Sequence, residues 1–190
     1  MSEETLRTFM AFPIGESLIE KISALQGELK KLKLDAKMVD PRKIHLTLQF
    51  LGDTPVSSLE KIHHTLEEIA RRHTHFSVSM DTFGAFPNLR SPRILWVGSK
   101  EESEKAESIV QDLHEALSLL GFEKEERKFK PHLTLVRLRS LKNEQRLAAF
   151  VEGYTLPWQE TLSCETLIHY KSTLTPQGAF YEPLYQVTLL

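Results

Sequence analysis

Cysteine is nearly absent. Cys164 is the sole example, so no internal disulfide can form, and a reducing compartment fits. It lies in a stretch that reads as a strand, and a buried structural thiol is expected there rather than a nucleophile. There is no apolar run near the roughly 20 residues that span a bilayer. The first residues, Met1-Ser2-Glu3-Glu4, also lack the basic-then-apolar pattern of a signal peptide. A soluble, cytoplasmic protein with no membrane partner is expected. Positive charge is not in excess: 24 Lys and Arg stand against 26 Asp and Glu, for a formal net charge of −2. That argues against coating long nucleic acid through bulk electrostatics, so any nucleic-acid contact should be local, such as a terminus or a short oligonucleotide in a cleft. There is no Gly-rich loop ending in Lys-Ser/Thr and no dinucleotide fingerprint, so no nucleotide cofactor is indicated. His63, His64, His73 and His75 look like a metal cluster. However, adjacent His63 and His64 do not share a helix face, and no Cys pair or His-Glu-x-x-His accompanies them, so no metal site is expected.

What is present is a globular composition, 41% hydrophobic and 26% charged, enough for a packed core. A length of 190 residues fits one domain or two small lobes sharing an interface. The pattern predicts a strand over 5–13, then a helix with its apolar stripe at Leu18, Ile22, Leu25, Leu29 and Leu32. A strand follows over 44–51. Next comes a helix opening on a capping box at Ser57-Ser58-Leu59-Glu60, with its stripe at Leu59, Ile62, Leu66 and Ile69. One strand is expected over 76–86 and another over 93–98. A helix over 99–120 carries Ala106, Ile109, Leu113, Leu117 and Leu120, with Gly121 as its C-cap. A strand over 129–138, a weaker helix over 143–151, and strands over 156–170 and 180–189 complete the chain, the last two separated by a turn at Pro176-Gln177-Gly178.

The tetrapeptide His-Leu-Thr-Leu occurs twice, at His45–Leu48 and His132–Leu135. The copies lie 87 positions apart (132 − 45), and the same offset maps the helix preceding one copy onto the helix preceding the other. Two copies of this size are not a solenoid, whose repeats are shorter and need at least three members. They imply two lobes related by an approximate twofold axis, with repeats over roughly 5–86 and 93–190. In a strand, residues i and i+2 share a face. His45 and Thr47 therefore face together, as do His132 and Thr134, while the leucines face the core. If the lobes face each other, two imidazoles and two hydroxyls converge in one cleft. That arrangement suits in-line displacement at phosphorus: one imidazole takes a proton from water and the other gives one to the departing ribose oxygen. The threonine hydroxyls could hold the non-bridging oxygens.

Arg137 lies five residues after His132, which puts it on the opposite face unless a bulge intervenes. Its guanidinium suits a bidentate phosphate contact, and spacing alone leaves a surface arginine equally open. Arg42, Lys43, Lys128 and Lys130 flank the motifs and could form a positive rim for RNA or simply a solvated strand edge. Phe50, Phe86, Trp96 and Phe129 could stack on a base, with the core as the alternative for most of them.

These residues resemble the 2H phosphoesterases, which carry two His-x-Thr motifs. They resemble more closely the bacterial and archaeal RNA 2′,3′-cyclic phosphodiesterase family, also known as 2′-5′ RNA ligases. The likeness runs through Phe9-Met10-Ala11, His45–Gly52, Gly84–Pro87, Pro92–Gly98, Phe129–Arg137 and the Ser172, Pro176, Gly178, Tyr181 pattern. It implies an α+β fold of two pseudo-twofold lobes, each a mainly antiparallel sheet with helices on its outer face, around a central cleft. The whole chain, 1–190, would be one bilobal domain. The resemblance also implies an enzyme, an RNA 2′,3′-cyclic 3′-phosphodiesterase that hydrolyses the RNA-terminal cyclic phosphate to a 2′-phosphomonoester without metal or cofactor. Its substrates would be RNA or oligonucleotide ends, tRNA fragments among them. In this analogy His132 is the base and His45 the acid, with the reverse assignment open. Thr47, Thr134 and Arg137 hold the phosphate, and Lys43, Lys130 and Phe50 are candidate RNA or base contacts. A monomer is expected, because one chain completes one site. Three alternatives stay open: ATP-independent 2′-5′ joining of tRNA halves, a phosphodiesterase for another small cyclic or 2′-5′ nucleotide, and a non-catalytic RNA-end binding module.

Overall fold

The computed structural model of the chain describes residues 3–101, 103–140, 142–176 and 178–190. Met1 and Ser2 of the acidic start and Gln177 of the expected 176–178 turn lie outside these. The apolar periodicities become elements with modest shifts of boundary: β1 (Thr5–Pro13), α1 (Glu16–Lys31), β3 (His45–Pro55), α2 (Leu59–Ala70), β6 (Ile94–Gly98), α3 (Glu104–Ser118), β7 (His132–Leu138), α4 (Glu144–Gly153) and β10 (Gly178–Thr188). Two expected strands are each divided. The 76–86 segment breaks at Asp81 into β4 (Phe76–Met80) and β5 (Thr82–Phe86), and 156–170 yields β8 (Glu160–Cys164) and the start of β9 (Thr166–Thr175). The breaks let β4 and β8 pair as a separate two-stranded sheet while β5 and β9 join the main one. The short β2 (Ala36–Met38) was not expected, since three residues carry too little alternation to register.

The capping box does not form. Val56–Ser58 is a 3₁₀ turn, α2 begins at Leu59 without a side-chain cap, and the Ser57 hydroxyl donates instead to the Glu3 carboxylate. At α3 the cap is Ser103, whose hydroxyl accepts from the Ala106 amide at 3.3 Å. Cys164 is fully buried beside Leu162, and burial pushes its thiol up to about 12, as suits a structural residue.

The fold is α+β. The main sheet runs β10-β9-β1-β3-β7-β6-β5, with β2 on β7, and every pairing is antiparallel. It falls into two four-stranded halves, β10-β9-β1-β3 and β7-β6-β5 with β2. Among the described residues these are joined between β3 and β7 at the single pair Leu46↔Leu133. Each half draws strands from both repeats of the chain: β9 and β10 return to β1, and β2 and β5 cross to β7 and β6. The helices cross as well. α1 reaches the carbonyl of Leu135 on β7, and α3 packs by β3. Leu46, Leu48, Leu133 and Leu135 are all buried with the helix stripes in one core. Each such aliphatic side chain contributes about 1.5–3 kcal/mol on burial. No described helix is long and apolar enough to cross a membrane.

Gly98 marks the closest approach of β6 to the start of β7. A Cβ there would lie 2.3 Å from the Pro131 carbonyl oxygen and 3.1 Å from His132 Cα. Gly98→Ala should therefore displace β7 and cost about 1–3 kcal/mol of stability. Gly27→Ala, in α1 with nothing within 4 Å of an added Cβ, should stabilise by about 0.5–1 kcal/mol. Urea denaturation of the two variants against the parent checks both signs.

Candidate active site

The join between the two half-sheets brings the repeated motifs together. Extending the Leu46↔Leu133 antiparallel register by one residue each way sets His45 opposite Thr134 and Thr47 opposite His132. All four are half-buried on the face opposite the buried leucines. The local twofold axis thus passes through the leucine pair, and the imidazoles lie diagonally across it.

A β-bulge then changes the face of the residues beyond each motif. Along β7, Trp96 pairs with Thr134 and Leu95 with Val136, so Leu135 is an extra residue. Leu135 and Val136 are both buried, and Arg137 is exposed on the histidine face rather than opposite it. Its charge is one of the causes that lower the pKa of both histidines, which places the guanidinium near both. β3 carries the same device. Ala11 pairs with Thr47 and Met10 with Gln49, leaving Leu48 extra, and Phe50 emerges on the histidine face, 63% exposed. Phe50 and Arg137 are 87 positions apart (137 − 50), so the two bulges are mates under the repeat.

The histidines are held alike. His45 Nδ1 lies 2.9 Å from the Lys43 carbonyl and His132 Nδ1 lies 2.7 Å from the Lys130 carbonyl. A carbonyl only accepts, so Nδ1 carries the hydrogen and Nε2 keeps its lone pair in the neutral ring. His45 is stacked on Phe9 at 4.7 Å and edge-on to Tyr181 at 5.1 Å. His132 is edge-on to Phe86 at 4.9 Å, with Trp96 at 6.4 Å. Phe9 and Trp96 are again 87 apart (96 − 9). These rings displace water from the imidazoles, and desolvation is the main cause lowering both pKa values, His45 to about 4. Nearby charges add to the fall, Arg137 and His132 for His45 and Lys130 and Arg137 for His132, while the backbone hydrogen bonds to Lys43 and Lys130 oppose it.

Lys43 and Lys130 serve the site first through their carbonyls. Their ammonium groups have protein partners: Lys43 Nζ donates to the Ala179 carbonyl at 3.2 Å, and Lys130 Nζ sits 4.5 Å over the Trp96 ring. Arg42 meets Glu16 at 3.3 Å. His63, His64, His73 and His75 are not gathered: His73 pairs with Asp112 at 2.9 Å, His64 with Glu68, and His63 stacks on Tyr185. Two grooves are lined by none of His45, Thr47, His132, Thr134 or Arg137. One of about 550 Å³ includes Phe50, Asp53, Phe122 and Glu123, and one of about 640 Å³ includes Phe83, Asn88, Arg90 and Trp96. Sequence reasoning missed the aromatic box of Phe9 and Tyr170 around His45, because Tyr170 arrives from the other repeat through β9. It also missed Gln26, a buried polar residue within the α1 stripe.

Comparison with known proteins gives the family and the fold. The family model of the 2′-5′ RNA ligase superfamily matches residues 16–173. An RNA 2′,3′-cyclic phosphodiesterase of Archaeoglobus fulgidus is 32% identical over 94% of this chain and 98% of that protein. One from Thermotoga maritima is 32% identical over 95% of this chain and 94% of its own length. In fold, the chain is similar to apo E. coli LigT (TM-score 0.77, 23% identity, 99% of each chain). It is also similar to TT0787 of Thermus thermophilus (TM-score 0.80, 24% identity, 97% of this chain and 98% of that one).

Because His45 is neutral in the folded protein but ionises near 6.5 when unfolded, the unfolded chain takes up the proton first on acidification. Its contribution to stability is complete above pH 6.5 and is lost progressively as pH falls to about 4. An NMR titration should find His45 unprotonated until about pH 4. Denaturation at pH 7 and pH 5 should show a smaller loss of stability in His45→Phe than in the parent.

Proposed function

The chain belongs to the 2′-5′ RNA ligase superfamily of 2H phosphoesterases, and on that premise we propose that it hydrolyses RNA-terminal 2′,3′-cyclic phosphates to 2′-phosphomonoesters by a two-histidine, metal-independent mechanism. The observation that carries the reading is the pair of His-x-Thr motifs facing one another across Leu46 and Leu133, each imidazole held by the same backbone contact. The names of the curated relatives support the reaction, and the paired motifs support the way it is done.

The cyclic phosphate lies between the two Nε2 atoms. One imidazole accepts a proton from water as its oxygen attacks phosphorus, and the bond from phosphorus to the ribose 3′ oxygen breaks in line. The other imidazole donates its proton to that oxygen, leaving the phosphate on the 2′ oxygen. Following the family analogy, His132 is the base and His45 the acid. Thr47, Thr134 and Arg137 hold the non-bridging oxygens, and the charge that develops there is met by donors already oriented. Phe50 offers a face for the terminal base. The proposed unit is one bilobal chain acting as a monomer on RNA ends, tRNA fragments among them.

The site must hold one proton on two imidazoles, yet desolvation keeps both below 6.5 when the site is empty. Productive free enzyme therefore gains population as pH falls below 6.5, until both rings are protonated. The bell of kcat/KM should peak on the acid side of 6.5, with its limbs belonging to the pair rather than to either ring. The bound phosphate anion favours imidazolium, so the bell of kcat should lie at higher pH.

The decisive assay is turnover of a nucleoside 2′,3′-cyclic phosphate, and of a short RNA ending in one, with excess EDTA. His45→Ala and His132→Ala should each lose about 10²–10⁴ in kcat. The double variant should lose little more than the worse single one. The product should be the 2′-phosphate by chromatography. Activity abolished by EDTA and restored by a divalent ion would overturn metal independence. Binding of RNA ends with no turnover would favour the non-catalytic module, and joining to a 5′-hydroxyl RNA without ATP would favour the ligase.

A further inference from the structure

Arg137 faces the histidines only because Leu135 is bulged against β6, and on its other edge the Leu135 carbonyl meets the end of β2, where Val39 continues the register of Lys37↔Arg137 and Met38↔Val136. That carbonyl accepts two bonds, from the Val39 amide at 2.9 Å and from Gln26 Nε2 at 2.9 Å. Gln26 uses its second amide hydrogen on the Val39 carbonyl at 2.7 Å. One side chain in the middle of α1 therefore ties the helix, the segment after β2 and the bulge into a single unit. Gln26 is only 3% exposed. Both N–H groups are satisfied by backbone 13 and 109 residues away, so the contact is tertiary rather than helical. Burying an amide is unfavourable unless it is paired, and packing alone does not call for one here. The residue 87 positions on (26 + 87), Leu113, fills the corresponding buried place in α3 with no hydrogen-bonding group. The repeat therefore has an amide donor on the side whose bulge presents a guanidinium and an aliphatic residue on the side whose bulge presents Phe50. The chemistry accounts for the asymmetry. A stacking ring tolerates small shifts, whereas bidentate recognition of a phosphate depends on the alignment of two N–H groups.

We propose that Gln26 is a positioning residue: by holding the bulge at Leu135 it sets the direction in which Arg137 meets the substrate phosphate. The inference rests on the reaction proposed above, in which Arg137 is the phosphate contact. Gln26 touches no substrate, and its effect passes through Arg137.

A double-mutant cycle read by kinetics tests this, with a nucleoside 2′,3′-cyclic phosphate as substrate and wild type, Gln26→Met, Arg137→Ala and the double variant compared. Met matches the length of Gln and removes both donors. Gln26→Met should lower kcat/KM about 10- to 100-fold where Arg137 is present. It should change kcat/KM less than about twofold in the Arg137→Ala background. In a Phe50→Ala background its full effect should persist. Thermal unfolding should shift equally in all backgrounds, which separates positioning from general loosening. An equal loss with and without Arg137, or no loss at all, overturns the proposal. If Gln26→Met does not fold, Gln26→Asn, whose shorter amide cannot span both carbonyls, is carried through the same cycle with the same criteria. A wild type without turnover removes the reaction itself. An active wild type indifferent to Arg137→Ala leaves the reaction standing and removes this role for Gln26.

Discussion

The pairing of Leu46 with Leu133 is the constraint on which the rest depends. Among the described residues it is the only pair that joins the two half-sheets, and it lies at the centre of both motifs. Because the strands are antiparallel, this one register decides that each histidine stands across from the other motif's threonine. Because the leucines are fully buried, a slip of one residue would turn every polar group of the motif into the core. The hydrophobic term that holds the leucines inside is the same term that keeps the imidazoles on the cleft face. Stability and site geometry are thus set by one pattern.

The bulges at Leu48 and Leu135 extend that logic. Each lets two consecutive side chains enter the core and returns the next to the cleft, so a short run of chain brings a third functional group beside the histidine and threonine. The twofold relation then ends at the chemistry. One bulge delivers a cation and the other an aromatic ring, and the proposed reaction uses the first for the phosphate and the second for the base. The aromatic rings around both imidazoles complete the setting. They remove water, hold the rings neutral in the empty site, and leave the hydrogen on Nδ1, where a carbonyl keeps it. A bound anion is what would recharge one of them.

Local pattern was enough for the helices, for β1, β3, β6, β7 and β10, and for the pairing of two His-x-Thr faces, because periodicity and repetition are properties of adjacent residues. It was not enough for the breaks at Asp81 and at Glu165, which depend on which sheet each piece joins, or for the Ser57 hydroxyl, which found Glu3 instead of its own helix. In the sequence, Lys43 and Lys130 read as candidate RNA contacts or as a solvated strand edge. Their backbone carbonyls, invisible in a sequence, are what hold the histidines, while their ammonium groups contact Ala179 and Trp96.

The sequence by itself determined the composition of the site and its twofold plan. Two imidazoles and two hydroxyls at an 87-residue repeat follow from residue identity and strand alternation. Only the tertiary structure decided on which face Arg137 lies, which half-sheet each strand completes, and that Gln26 closes the bulge from a helix 109 residues away. The physical reason is that a bulge, a strand crossing and a buried hydrogen bond are settled by distant backbone groups needing partners, and a distant partner leaves no periodic trace along the chain.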